Sequence, residues 1–220
     1  MTCVDFSFRV VVVGGKTAGK RSFIYRFTRG QFPMPEKNNE KLDEALRKDV
    51  EKMEWETFYP PHLKGLINYP TFQLTKGSLA GEIKNVSERR RRVKLDMVAC
   101  HRIRQGGSDP AKDKKKHPFE YQSSYFRGVI VMYSVTSKKS FKEAEIWLID
   151  VETFAPYQVR TVLLASKYDC VGKSEVTKVE GENLAAKHKA IFFETSCWTS
   201  KGIDEALRAC ATMMVQGVER

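Results

Sequence analysis

Seven residues near the start of the chain, Gly14-Gly15-Lys16-Thr17-Ala18-Gly19-Lys20, have the types and spacing to hold phosphate. Glycines let backbone N–H groups curl around a diphosphate, a following helix adds its positive N-terminal end, and a lysine reaches the outer phosphates. The plain alternative is a Gly-rich strand-to-helix turn with a surface lysine. The pattern then departs at one place. The next position calls for Ser or Thr, whose hydroxyl binds Mg²⁺, and here it is Arg21. Ser22 is no substitute, because adjacent helical residues point about 100° apart. Either Arg21 turns outward and Mg²⁺ is held weakly through waters, or Arg21 replaces the metal as a phosphate counter-charge. No metal-ligand set is expected from His62, His101, His117, His188 or the five cysteines, whose spacings fit none.

The elements around this loop follow from hydrophobic pattern. Phe8 to Val13 is a β-branched run that reads as a buried parallel strand, and Lys20 to Arg29 follows with Phe23, Ile24 and Phe27 at helical spacing. Further strands are expected at Val93–Val98, Gly128–Tyr133, Thr161–Ala165 and Ile191–Phe193. Helices are expected at Ser140–Phe154, with Ser140 as N-cap, at Val176–His188 and at Lys201–Val215. This alternation specifies a mostly parallel sheet with helices on both faces, in one domain over residues 1–220. Two stretches interrupt it. Residues 33–70 read as an insertion whose middle, Asn39 to Thr57, is an amphipathic helix presenting Leu42, Leu46, Val50 and Met53. Residues 84–118 read as a basic hairpin and a flexible loop over Gln105–Pro118.

Composition narrows the class. An apolar fraction of 41% in 220 residues suffices for a sizeable core. The net charge of +11 is local: Lys84 to Lys116 holds twelve Lys or Arg against four Asp or Glu, so +8 lies in 33 residues. The five unpaired-looking cysteines suit a reducing compartment, so an intracellular, cytoplasmic protein is expected. No signal, membrane-spanning segment, myristoylation site or prenylation box is read, so no lipid anchor is expected.

With these residues in view, the chain resembles a Ras-superfamily small GTPase of the Rab type. Phe8 to Phe32 resembles that family's first strand, phosphate loop and helix, and Ser124-Tyr-Phe-Arg-Gly-Val-Ile-Val-Met-Tyr-Ser-Val-Thr136 its SYYRGA…VYDVT stretch. Glu180-Gly-Glu-Asn-Leu-Ala185, Phe193-Glu-Thr-Ser-Cys197 and Gly202 to Leu207 resemble its closing motifs. The resemblance implies a P-loop small G-domain fold with a six-stranded sheet, binding GTP or GDP. It places Gly14, Gly15, Lys16, Thr17, Ala18, Gly19, Lys20, Arg21 and Ser22 at the phosphates. Ser166, Lys167, Asp169, Ser196 and Cys197 fall at the guanine, with Asp169 accepting from the base's N1–H and 2-amino group. Ser166 stands for the usual Asn or Thr, which suggests a looser loop, and Trp198 stands for a lysine. The catalytic motifs match poorly. Ala99, Cys100, His101 and Arg102 occupy the places of the family's D-T-A-G, Asp96 lies three residues early, and Gln105 is the nearest glutamine. Lys76 falls at the place of the switch threonine, one residue from Thr75.

Three readings follow. The first is a guanine-nucleotide-binding scaffold with little or no hydrolysis, a pseudo-GTPase working through protein partners in an assembly. The second is an active GTP-hydrolysing switch in trafficking or signalling. The third is a basic structural protein that binds nucleic acid or an anionic surface through Arg89, Arg90, Arg91 and Arg92. The absence of aromatic residues between Lys84 and His117 argues against single-strand binding, which places a protein partner before nucleic acid.

Overall fold

A computed structural model describes residues 4–30, 55–57, 72–75, 79–86, 91–102, 126–155, 158–170 and 172–219. In chain order these form β1 (Phe6–Gly14), α1 (Lys20–Arg29), β2 (Trp55–Thr57), β3 (Phe72–Thr75), β4 (Leu79–Val86) and β5 (Arg91–Arg102). They continue with β6 (Gly128–Ser134), α2 (Lys138–Phe154), β7 (Arg160–Ser166), α3 (Lys178–Lys187), β8 (Ile191–Glu194) and α4 (Ile203–Val218).

The strands make one eight-stranded sheet in the order β2-β3-β5-β1-β6-β7-β8, with β4 also on β5. From β5 to β8 every pairing is parallel. The expected six-stranded, mostly parallel G-domain sheet is present as β4, β5, β1, β6, β7 and β8. It is lengthened by β2 and β3, both joined antiparallel. Alternation along β1 divides the core. Val10 and Val12 pack with Phe23 and Ile24 of α1 and with Leu207 and Cys210 of α4. Val11 and Val13 pack on the opposite face with Trp147 and Leu148 of α2 and with Leu184 and Ala185 of α3. Because β1, β6 and β7 are covered on both sides, their sequences are continuous apolar runs, as buried parallel strands require.

Several expected boundaries shift for local reasons. Helix α2 begins two residues early, because Ser137, not Ser140, is its N-cap: the Ser137 hydroxyl accepts the Ser140 N–H at 3.2 Å. Ser140 is buried, and its Oγ accepts from Ser134 N–H at 2.9 Å. Helix α3 starts at Lys178 behind a capping box of Thr177 and Glu180. The Thr177 backbone N–H donated to Glu180 holds that carboxyl below its usual range. Helix α4 starts at Ile203 after Gly202, whose left-handed backbone (φ 75°) leaves no room for a side chain against the Glu194 carbonyl.

Two expectations need larger correction. The helix over Asn39–Thr57 does not hold at its end, where Trp55–Thr57 is a strand whose Trp55 lies opposite Thr75. The rest of that helix, with Leu42, Leu46, Val50 and Met53, lies outside the described residues, as do Gln105–Pro118, Lys76, Arg89 and Arg90. The strand expected at Val93–Val98 runs from Arg91 to Arg102. It lies beside β1 from Val93 to Ala99, then pairs with β3 at Cys100, His101 and Arg102.

Candidate functional site

The site is assembled where β1, β6 and β7 end. Leaving β1, the chain turns through residues 15–19, with the Ala18 N–H donating to the Gly15 carbonyl at 3.1 Å. Gly14 needs its hydrogen: at φ 138° an added Cβ would collide with the Met132 carbonyl. Gly19 takes a left-handed conformation (φ 82°) as the cap of α1. Lys20 is 2% exposed, and its Nζ donates to the Gly14 and Gly15 carbonyls, both at 2.7 Å. The ammonium is thereby held inside the loop. Lys16 is exposed on the loop, Arg21 is exposed on α1, and the first turn of α1 carries no acid. Three cations and a helix N-terminus at one glycine turn suit a diphosphate. The Glu143 carboxylate of α2 lies against Gly15, where a Cβ would meet it.

The second half of the site stands on β7 and on the loop after β8. Ser166 is buried, and its Oγ donates to the Ala18 carbonyl at 2.8 Å. The serine therefore ties the loop after β7 to the glycine turn between β1 and α1. Lys167 adopts φ 61°, and the turn is closed by Cys170 N–H to the Lys167 carbonyl at 3.0 Å. Asp169 is exposed on that turn, beside Cys170 Sγ at 3.7 Å. The neighbouring loop is fixed to the same strand: Thr195 N–H donates to the Ala165 carbonyl at 2.7 Å, and Tyr168 N–H to the Thr195 carbonyl at 3.3 Å.

Ser196 is buried and accepts the Thr199 N–H on its Oγ at 3.1 Å, so it shapes its loop from within. Burial pushes the Cys197 thiol up to about 12. The Asp169 carboxylate adds to that rise, and the Arg26 guanidinium opposes it. Asp169, Cys197 and Arg26 are thus brought together from three elements. Arg26, which sequence reasoning missed, donates from Nε to Ser200 Oγ at 2.6 Å and joins α1 to this loop. The two residues are 174 positions apart, so no local pattern could have signalled the contact.

The residues aligned with the family's metal and γ-phosphate motif sit differently from the rest of the site. Ala99 is buried in β5, and Cys100, His101 and Arg102 continue the strand. Asp96 lies mid-strand, opposite Ala80, with Lys94 Nζ at 3.5 Å. Thr75 closes β3. Among the described residues no group of three or more His, Cys, Asp or Glu is placed to hold a metal ion.

Of the basic run, Arg91 and Arg92 are described. Arg91 and Arg92 open β5 and are engaged by acids of this chain. Arg92 donates from Nε to Glu82 at 2.7 Å, and its backbone N–H donates to Asp5 at 2.7 Å. Arg91 lies 3.5 Å from Asp5 and 3.8 Å from Glu219, over the Phe6 ring. No helix among the described residues is long and apolar enough to cross a membrane.

Residues 117–216 match the Ras family. The Ras-related protein Rab-13 of Rattus norvegicus is 35% identical over 92 residues, which are 40% of this chain and 45% of that protein. Rab-2B of Dictyostelium discoideum is 31% identical over 99 residues, 44% of this chain and 49% of that protein. Rab-4B of Homo sapiens is 29% identical over 99 residues, 44% and 46% of the two chains. The chain spans a little under half the length of these curated relatives. The family match contains Ser166, Lys167, Asp169, Ser196 and Cys197 and begins after the glycine turn at Gly14–Lys20. Residues 117–216 are thus similar in sequence to the Ras family and its Rab-type relatives, and the described chain has the sheet and helices of a small G-domain fold.

Proposed function

We propose that this chain binds guanine nucleotide, hydrolyses it little or not at all, and serves as an interaction scaffold for protein partners. The observation that carries the reading is the contrast between the two halves of the site. The glycine turn and the loop after β7 are joined by the Ser166–Ala18 hydrogen bond, and the Lys20 ammonium is held by the Gly14 and Gly15 carbonyls of that turn. The segment that would meet metal and γ-phosphate stays in β5 as Ala99, Cys100, His101 and Arg102, paired with β3 through Arg102. Phosphoryl transfer depends almost wholly on positioning and charge stabilisation, and single stabilising groups there are worth about 10²–10⁵ in rate. With Arg21 where a metal-binding hydroxyl is expected, Mg²⁺ would rest on phosphate oxygens and waters. Lys167 and Asp169 would hold the base, and Lys20 with the turn from Gly14 to Gly19 the phosphates. The partner contact is proposed for residues 33–70, whose sequence carries Leu42, Leu46, Val50 and Met53. Nucleic acid ranks lower, because Arg91 and Arg92 are already paired within the chain.

The test is nucleotide content. The chain is purified natively, with and without prior chelation of Mg²⁺, then denatured, and the released nucleotide is identified by chromatography. Retained GTP that survives chelation is expected. Bound GDP that is lost on chelation, together with ordinary turnover in a GTPase assay, would replace this reading with that of a working switch.

A further inference from the structure

Gly14 and Gly19 answer to conformation, each with a positive φ, but Gly15 does not share that geometry. Its missing side chain is a matter of space. A Cβ on Gly15 would meet the Glu143 carboxylate and come within 3.4 Å of Ser140 Cβ. Both residues belong to one face of α2, three positions apart. That face is fixed. Ser140 Oγ accepts from Ser134 N–H at 2.9 Å and donates to the Ser137 carbonyl at 2.8 Å, so the first turn of α2 is anchored to the end of β6. One turn further on, Glu143 is half-buried, and its carboxylate lies against the glycine turn. Among the described residues no hydrogen bond or ion pair engages that carboxylate.

The charge is of the opposite sign to its surroundings. The turn and the start of α1 carry Lys16, Lys20 and Arg21, and the first turn of α1 has no acid. Space alone does not call for an acid at position 143, because a neutral amide of the same shape would fill it. Beside a site for phosphate, a carboxylate acts against the ligand: like charges a few ångströms apart repel more strongly in a partly buried site than in bulk water. We infer that Glu143 limits the grip of the glycine turn on phosphate and lowers nucleotide affinity by an amount that grows with the number of phosphates. The inference deepens the nucleotide-binding reading above and rests on it. It makes Glu143 a determinant of how readily bound nucleotide leaves, acting from α2 by charge alone.

The experiment measures heats of binding of GMP, GDP and a non-hydrolysable GTP analogue to the full chain, at roughly 0.05 M and roughly 0.5 M salt. Glu143→Gln keeps the shape and removes the charge. At low salt it is expected to bind GDP about 3–10-fold more tightly than the parent, with a larger gain for the GTP analogue and a smaller one for GMP. Salt screens exposed charges, so the gains are expected to shrink at high salt. Glu143→Ala removes the shape as well and is expected to match Glu143→Gln. Unchanged or weaker GDP binding in Glu143→Gln overturns the role. An equal gain for all three nucleotides, or a gain confined to Glu143→Ala, also overturns it, because the effect would then lie in packing. If no guanine nucleotide gives heat with the parent or either variant, the nucleotide-binding reading itself fails, and the role of Glu143 with it.

Discussion

Ser166 makes one hydrogen bond on which two loops depend. Its hydroxyl reaches the buried Ala18 carbonyl at 2.8 Å across a separation of 148 residues. Removing it in Ser166→Ala leaves that carbonyl without this donor, at a cost of about 1–3 kcal/mol. The loop after β7 also loses its link to the glycine turn, the two loops proposed above to hold base and phosphates. Urea unfolding is expected to register the loss of stability, and a fluorescent GDP analogue is expected to dissociate several-fold faster. A variant that unfolds with the parent and releases nucleotide at the same rate would show the bond to be incidental. The strand-turn-helix at Gly14–Lys20 was legible because the G-x-x-x-x-G-K spacing is local and its glycines answer to backbone conformation, as Gly14 and Gly19 show. The Ser166–Ala18 and Arg26–Ser200 contacts were not, because residues so far apart meet only through the sheet and its helices.

Among the elements, β5 decides most about the chemistry. Its apolar alternation ends near Val98, so hydrophobic pattern alone stops the strand there. The ladder continues because β3 lies alongside with Leu74, Gln73 and Phe72 opposite Cys100, His101 and Arg102. Backbone pairing is indifferent to the polarity of those side chains, which is why sequence understated it. The same limit explains β2, where helical spacing suggested a helix but Trp55–Thr57 pairs with β3. By contrast β1, β6 and β7 were readable, since burial on both faces writes itself as an apolar run. A segment hydrogen-bonded into a sheet, beside β1 as far as Ala99 and beside β3 from Cys100 to Arg102, is a poor switch, because switching needs an order–disorder change driven by the γ-phosphate. Amide exchange over residues 95–102 is therefore expected to be slow and equal with GDP and with a non-hydrolysable GTP analogue. Nucleotide-dependent protection there of 10-fold or more would mean that the strand does open, and would favour the switch reading.

For the molecule as a whole, net charge is a weak guide to partners. The +11 is real, but Arg91 and Arg92 form ties to Asp5, Glu82 and Glu219 at one end of the sheet. Their first measurable effect should be on the packing of the chain ends. A more discriminating whole-molecule property is the dependence of stability on alkaline pH. Cys197 and Cys210 lie in the core cluster between the sheet, α1 and α4, and burial pushes both thiols up to about 12 from an ordinary value of 9.0. Above pH 9 the unfolded chain has released these protons while the folded chain keeps them, so the unfolded state binds fewer protons. Stability then falls as pH rises: it is fully present below about pH 9 and lost progressively toward about pH 12, with a slope approaching about 1.4 kcal/mol per pH unit for each thiol. Burial also raises the Tyr133 phenol, which acts in the same direction. Comparing the parent with the double variant Cys197→Ala, Cys210→Ala separates the contributions, because Tyr133 and the lysines remain in both. Urea unfolding at pH 8, 9.5 and 10.5 is expected to give a steeper decline in the parent, with the double variant less stable at pH 8 but flatter above it. Parallel declines would show that the two thiols ionise in the folded chain as readily as in the unfolded one, and that the core around α4 admits water.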